Sequence, residues 1–204
     1  MQMQFSMKPL AVTLLSAGLL AGCVSNLQRG LDAGRSGNYQ AMLSACEMAA
    51  KESNADPEAF KCIGDAQMRL GNRSAAETAY LTYLDHVSDS VEVRLILANM
   101  YLADGRLAAA QKQAEEAVKY DPSAYEGYYY LGEIHRTNGA CKASKAAYDR
   151  ALEIYPQYDA AKAGLEKLAK VCPPEKKVKI HVRPRVRHEK VLRGGGKALR
   201  EGEW

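Results

Sequence analysis

The sequence predicts an all-α fold, a solenoid of stacked helical hairpins, and three regularities carry that prediction. Gly37, Gly71, Gly105 and Gly139 lie 34 residues apart, and so do Pro122 and Pro156. Segments aligned on this period begin at Pro57, Val91 and Tyr125. Each places a large apolar residue at one step (Ile63, Leu97, Leu131) and a small one at the next (Gly64, Ala98, Gly132). Further along the same register come Ala76, Ala110 and Ser144, then Tyr80, Ala114 and Tyr148. The chain is 204 residues long, with 47% apolar and 25% charged residues, which excludes a collagen-like, fully unfolded or multi-span membrane protein.

Ahead of the repeats, residues 10–22 carry no charge and follow Lys8. The run is too short to cross a bilayer but suits the apolar core of a secretory signal, with Met7-Lys8 reading as a natural start. It ends in Leu20-Ala21-Gly22-Cys23. That tetrapeptide resembles the lipobox of bacterial lipoproteins. The resemblance implies cleavage before Cys23, a covalent lipid on Cys23 as the one attached group, and residues 1–22 as the signal peptide. Each buried methylene contributes ~0.8 kcal/mol, so more than one acyl chain holds such an end in a leaflet. Val24 and Ser25 follow in place of an aspartate. By analogy with enteric sorting, this implies a periplasm-facing outer-membrane lipoprotein, with the inner membrane the alternative.

Residues 23–56 form the anchored N-terminus and a degenerate repeat, with Gly30 and Gly37 in phase but a poor first helix. Residues 57–172 hold the clear repeats. Their small residues let two helices approach closely, and large apolar ones fill the surrounding gaps. Each periodic glycine falls where a first helix ends and the chain turns, a place that favours positive φ. Each periodic proline follows a second helix, whose hydrogen-bond ladder it cannot continue. One such unit cannot bury its apolar face alone, so at least three must stack. A last helix over Asp159–Val171 has Ala161, Leu165 and Leu168 inward and Lys162, Glu166 and Lys170 outward, as a solvating cap requires.

The pattern resembles the tetratricopeptide repeat, a helix–turn–helix unit of 34 residues. The best match is 125–156, with Tyr128, Leu131-Gly132, Tyr148, Ala151 and Pro156 on pattern, and the resemblance extends over residues 26–170. In such arrays the second helix of one unit runs antiparallel beside the first helix of the next. Residues equally far after one turn glycine and before the next then lie side by side. Cys46 is nine after Gly37 and Cys62 nine before Gly71. Cys141 is two after Gly139, and Cys172 is one before the next term of the series. The expected pairs are Cys46–Cys62 and Cys141–Cys172. An even number of cysteines besides Cys23, with no C-x-x-C, favours disulfides over a metal site in an exported chain.

No catalytic residue and no metal ligand set is assigned: H-E-x-x-H, G-x-S-x-G and phosphate-binding loops are all missing. His135 takes a place usually filled by a packed aromatic, and Gly194-Gly195-Gly196 lacks a strand-to-helix context. The tetratricopeptide resemblance implies a concave groove lined by the first helices. Carried over by register, the lining is Lys61, Asp65, Met68, Leu95, Asn99, Leu102, Tyr129, Glu133 and Arg136. Met68, Leu95, Leu102 and Tyr129 would form an apolar floor with charges at both ends, suited to an extended or helical protein segment. The alternative is a solvated inner face with the leucines covered by neighbours.

The charge is divided unevenly. Residues 173–204 hold ten Lys/Arg against four Asp/Glu, net +6, while the preceding residues hold 18 against 20, net −2. Within this tail, residues 176–182 alternate basic residues with Val178, Ile180 and Val182, a period-two pattern. The expectation is an extended or unfolded arm that pairs with a partner's sheet edge or lies on an anionic envelope polymer, and nucleic acid is not expected. The function expected overall is that of a non-enzymatic, lipid-anchored adaptor for envelope proteins, resembling lipoproteins that assist pilus or secretion machinery, pilotin-like or of the tight-adherence type. The rival is an adaptor of peptidoglycan enzymes.

Overall fold

The computed structural model describes residues 25–172. Residues 1–24, with the expected signal segment and Cys23, and the basic residues 173–204 lie outside the described residues, and so do the expectations placed on them. The described residues form nine α-helices: α1 (Asn26–Arg35), α2 (Tyr39–Ala50), α3 (Glu58–Arg69), α4 (Arg73–His86), α5 (Val91–Ala103), α6 (Leu107–Tyr120), α7 (Tyr125–Thr137), α8 (Cys141–Ile154) and α9 (Asp159–Val171). Successive pairs are antiparallel hairpins, and α9 packs on α7 and α8 as the end cap. The all-α hairpin solenoid read from the sequence is the fold observed.

The 34-residue glycines make the hairpin turns. Gly71 has φ +83°, its N–H donates to the Met68 carbonyl at 3.1 Å, and Asn72 N–H reaches the Gln67 carbonyl at 2.8 Å. This pair of bonds is a Schellman closure, which needs a left-handed residue. Gly37, Gly105 and Gly139 repeat it with φ +78°, +71° and +72°. A side chain there would be strained by backbone conformation alone, since nothing crowds the Cα. The first hairpin, expected to be degenerate, has the same closure (Asn38 N–H to the Ala33 carbonyl, 2.9 Å) and two side-chain N-caps, from Ser25 and Asn38. Its departures from the repeat consensus sit in side chains, so its backbone is as regular as the others.

A second periodicity holds each hairpin together. A Cβ built on Gly64 would lie 2.5 Å from the Tyr80 ring, and one on Gly132 would lie 2.5 Å from the Tyr148 ring. Each ring therefore fills the space a glycine leaves. In the third hairpin the equivalent pair is Ala98 and Ala114, both fully buried. In the first it is Gly30 and Cys46, where a Cβ would overlap the Cys46 sulfur. The pair changes size from hairpin to hairpin, and glycine stands on the first helix wherever the second helix contributes a ring, as a close-packed interior requires.

Three apolar clusters follow one another along the stack. Met42, Leu43, Cys46, Cys62 and Ala66 fill the first. The largest runs from Ala76 and Tyr80 through Val93 and Leu97 to Ile134. Tyr148, Ala151, Ala161 and Leu168 seal the last. Polar ties reinforce the joint between the second and third hairpins. Glu77 accepts two bonds from Arg106, at 2.6 and 3.0 Å, and one from Tyr101 Oη at 2.9 Å. Arg73 bridges Asp104 at 2.9 Å and donates to the Met100 carbonyl at 3.0 Å.

Cys46 is joined to Cys62 with a Cα–Cα distance of 6.0 Å, linking α2 to α3. Cys141 is joined to Cys172 at 5.9 Å, fixing the far end of α9 to the start of α8. The first bond is enclosed, Cys46 being 0% and Cys62 2% exposed, whereas Cys141 and Cys172 are only partly covered. No described helix is long and apolar enough to cross a membrane.

Candidate functional site

The first helices α1, α3, α5 and α7 run parallel, one per hairpin, and share the inner face of the stack. Residues one period apart are therefore neighbours in rows. One row is Leu31, Asp65, Asn99 and Glu133, and another is Gly34, Met68, Leu102 and Arg136. The rows open into two contiguous hollows. The larger has a volume of 750 Å³ and is lined by Leu31, Arg35, Met42, Met68, Arg69 and Ile96, together with Gly34, Tyr39, Asp65 and Tyr80. A smaller one of 270 Å³ lies against Glu92, Leu95, Ile96, Asn99, Glu126 and Tyr130, and also touches Met100. Met68 and Ile96 belong to both.

Of the nine residues predicted for the groove, four line these hollows: Asp65, Met68, Leu95 and Asn99. Lys61 stands beside them, bridging across hairpins to Glu92 at 3.0 Å and within its own helix to Asp65 at 3.9 Å. Leu102 is half-buried and packs against the central core. The remaining three are on α7, whose Glu126 and Tyr130 line the smaller hollow, but fall outside both hollows. Tyr129 joins a group of tyrosine rings, with centroids 5.4 Å from Tyr158 and 6.1 Å from Tyr148. Glu133 is buried, and Arg136 donates to it at 2.6 Å.

The acidic positions are coupled to the second helices. Tyr80 Oη donates to Asp65 at 2.7 Å, and Tyr148 Oη donates to Glu133. Where the second helix has Ala114 in place of tyrosine, the first-helix position holds neutral Asn99, and opposite Cys46 it holds Leu31. A carboxylate thus occurs in this row where a phenol reaches it, so Asp65 and Glu133 serve the hairpin core as well as the inner face. Their titrations differ. Burial, joined by the Glu92 and Glu58 charges, pushes the Asp65 carboxyl up against the Tyr80 hydrogen bond and the Lys61 charge. Burial also pushes Glu133 up, but the bonds from Arg136 and Tyr148 and the Arg136 charge bring it below the usual carboxylate range. Both tyrosines are raised, first by burial and then by the carboxylate each one faces.

The sequence reading passed over Ile96, Tyr130 and the contribution of the first hairpin. Ile96 and Tyr130 are themselves one period apart. Leu31 and Gly34 lie one period before Asp65 and Met68, so the same series extended backwards reaches them, whereas Arg35 and Arg69, one period apart, belong to a row outside that reading. Among the described residues no group of three or more His, Cys, Asp or Glu side chains is placed to hold a metal ion.

This arrangement of parallel first helices, glycine Schellman turns and a shared inner face defines a helical-hairpin repeat protein. The particular repeat is the tetratricopeptide repeat: residues 63–111 and 101–159 match that family, and the described body is a tetratricopeptide-repeat solenoid. Among curated proteins, the chain is 30% identical over 125 residues to the Hsp70-Hsp90 organizing protein of Triticum aestivum, covering 56% of this chain and 21% of that one. The chain spans about a fifth of the length of the curated relatives it matches. Among solved structures, the MamA protein superposes with TM-score 0.66 at 18% identity, covering 72% of this chain and 80% of that one. YrrB, described as a tetratricopeptide-repeat protein with an unusual peptide-binding site, superposes with TM-score 0.63 at 16% identity, covering 69% and 73%.

Proposed function

We propose that this protein is a non-enzymatic scaffold that holds partner proteins on the inner face of its repeats. The observation that carries this reading is the 750 Å³ hollow, whose apolar floor of Leu31, Met42, Met68 and Ile96 stands open between charged rims. Leu31 alone is 38% exposed. An open apolar groove with polar edges fits a protein segment better than a small molecule, which would need enclosure. The peptide-binding description of YrrB points the same way. A photo-crosslinking residue at Met68 is expected to capture a defined partner reproducibly, whereas one at Met48, 46% exposed on α2, is not. Equal capture at both positions would refute the groove as the binding face.

The finer reading rests on the sequence. Leu20-Ala21-Gly22-Cys23 supports a lipid-anchored protein facing the periplasm, and the short repeat array behind a lipobox supports a place in assembling a pilus or secretion machine. Cys23→Ser is expected to move the protein from the membrane to the soluble fraction; retention in the membrane would remove the anchor from this reading. The peptidoglycan-enzyme alternative draws on the +6 tail. Deleting 173–204 should weaken sedimentation with isolated cell wall under that alternative and leave it unchanged under the leading one.

A further inference from the structure

The charges around the two hollows are sorted by sign. Arg35 and Arg69 stand in the last turns of α1 and α3, and both line the larger hollow. Glu92 and Glu126 stand in the first turns of α5 and α7, and both line the smaller. Because the first helices are parallel, last turns and first turns lie on opposite edges of the inner face. The arginines are on the first two hairpins and the glutamates on the last two, so positive and negative corners face each other diagonally. Met68 and Ile96 pave the ground shared between them.

Internal pairing leaves charge at both corners. Arg69 lies over the Tyr39 ring at 5.8 Å and pairs with no carboxylate among the described residues. Arg35 pairs with Asp32, but at an exposed site where such a pair contributes little. Glu92 meets Lys61 yet keeps 66% of its side chain exposed. Asp65, the acid that lines the larger hollow, is occupied by Tyr80 Oη at 2.7 Å.

Resting on the reading of the inner face as a protein-binding groove, we propose that its occupant is an extended peptide segment of mixed polarity. That segment has an acidic end against Arg35 and Arg69, an apolar middle on Met68 and Ile96, and a basic end against Glu92 and Glu126. Charge complementarity of this kind fixes direction and register more than it adds affinity. Packed helices lie ~8–10 Å apart and a helix rises ~1.5 Å per residue, so the diagonal from the last turn of α3 to the first turn of α7 is roughly 25 Å, the length of about seven extended residues.

The test is fluorescence anisotropy on the full chain at low ionic strength. The probes are labelled synthetic peptides that share one leucine- and isoleucine-containing middle and differ only in their ends: acidic with basic, both basic, both acidic, or both neutral. The mixed peptide should bind about tenfold more tightly than the neutral one, and added salt should erase the difference. Arg69→Glu should shift the preference to the peptide with two basic ends, and Glu92→Lys to the one with two acidic ends. Both positions are exposed, and circular dichroism checks that the helices persist. Equal binding of all four peptides, or a preference that neither reversal moves, overturns the mixed-polarity proposal while leaving the groove reading intact. Failure of every peptide to bind overturns both.

Discussion

Gly64 and Tyr80 show how closely single residues are matched in this chain. The ring lies where a Cβ on residue 64 would be, and a ring between two helices has little freedom to withdraw. Gly64→Ala should therefore destabilise by ~1–3 kcal/mol, and Tyr80→Ala by ~3–5 kcal/mol through the void it leaves. The third hairpin already uses the Ala98–Ala114 combination, so the double variant should cost clearly less than the sum of the two. Urea unfolding of all four proteins measures the coupling, and strict additivity would refute the shared-volume account. The two carboxylates make opposite predictions about pH. Glu133 has a folded value below its unfolded one, so its stabilisation is present at neutral pH and is lost as pH falls through the folded value. Asp65 has a folded value above its unfolded one, so mild acidification stabilises the folded chain at that site. Asp65→Asn should accordingly flatten the mildly acidic part of the stability profile, and Glu133→Gln should lower the neutral plateau. The identity of these residues was legible in the sequence. Their partners were not, because a phenol on the second helix reaches a carboxylate on the first only once the hairpin has closed.

At the scale of elements, the two ends of the solenoid are stapled. α2 is joined to α3 through Cys46–Cys62, and α9 is joined to α8 through Cys141–Cys172. Closures of this length contribute about 3 kcal/mol each when the geometry is relaxed. Burial separates their chemistry, since a reductant reaches the partly covered outer bond before the enclosed inner one. Graded reduction with thiol trapping should therefore label Cys141 and Cys172 first, and hydrogen exchange in α9 should accelerate at that stage while α1–α3 stay protected. Simultaneous labelling of all four cysteines would contradict this order. Peptide mapping of the protein without reductant is expected to find these two links, and a Cys46–Cys141 link would overturn the pairing. The tyrosine group at the same end belongs to this scale too. Tyr125, Tyr129 and Tyr158 meet at centroid distances of 4.8–5.4 Å, and they draw Tyr129 away from the groove floor to which its register alone assigned it.

For the molecule as a whole, stability in a stack is carried by neighbour contacts rather than one central core, and the three apolar clusters reflect this. Hydrogen-exchange protection should be highest in α4–α6, which belong to the largest cluster and have a hairpin on either side. With both disulfides reduced, the difference between these helices and the ends should widen. Uniform protection along the chain after reduction would show that the solenoid opens as a single unit instead.

The sequence by itself determined the hairpin count, the turn positions and the capping helix. Each of these follows from spacing along the chain: a 3.6-residue face, a glycine wherever φ must be positive, a 34-residue return. It also assigned three rows of the inner face, since register carries over from repeat to repeat. The tertiary structure decided which of those positions remain open. Asp65 and Glu133 are bonded to buried tyrosines, Tyr129 turns into the aromatic group, and Ile96 and the first hairpin complete the floor. The physical reason is that a period fixes where a side chain starts, whereas its free end is settled by whichever neighbours from other hairpins best fill the space and satisfy its polar atoms.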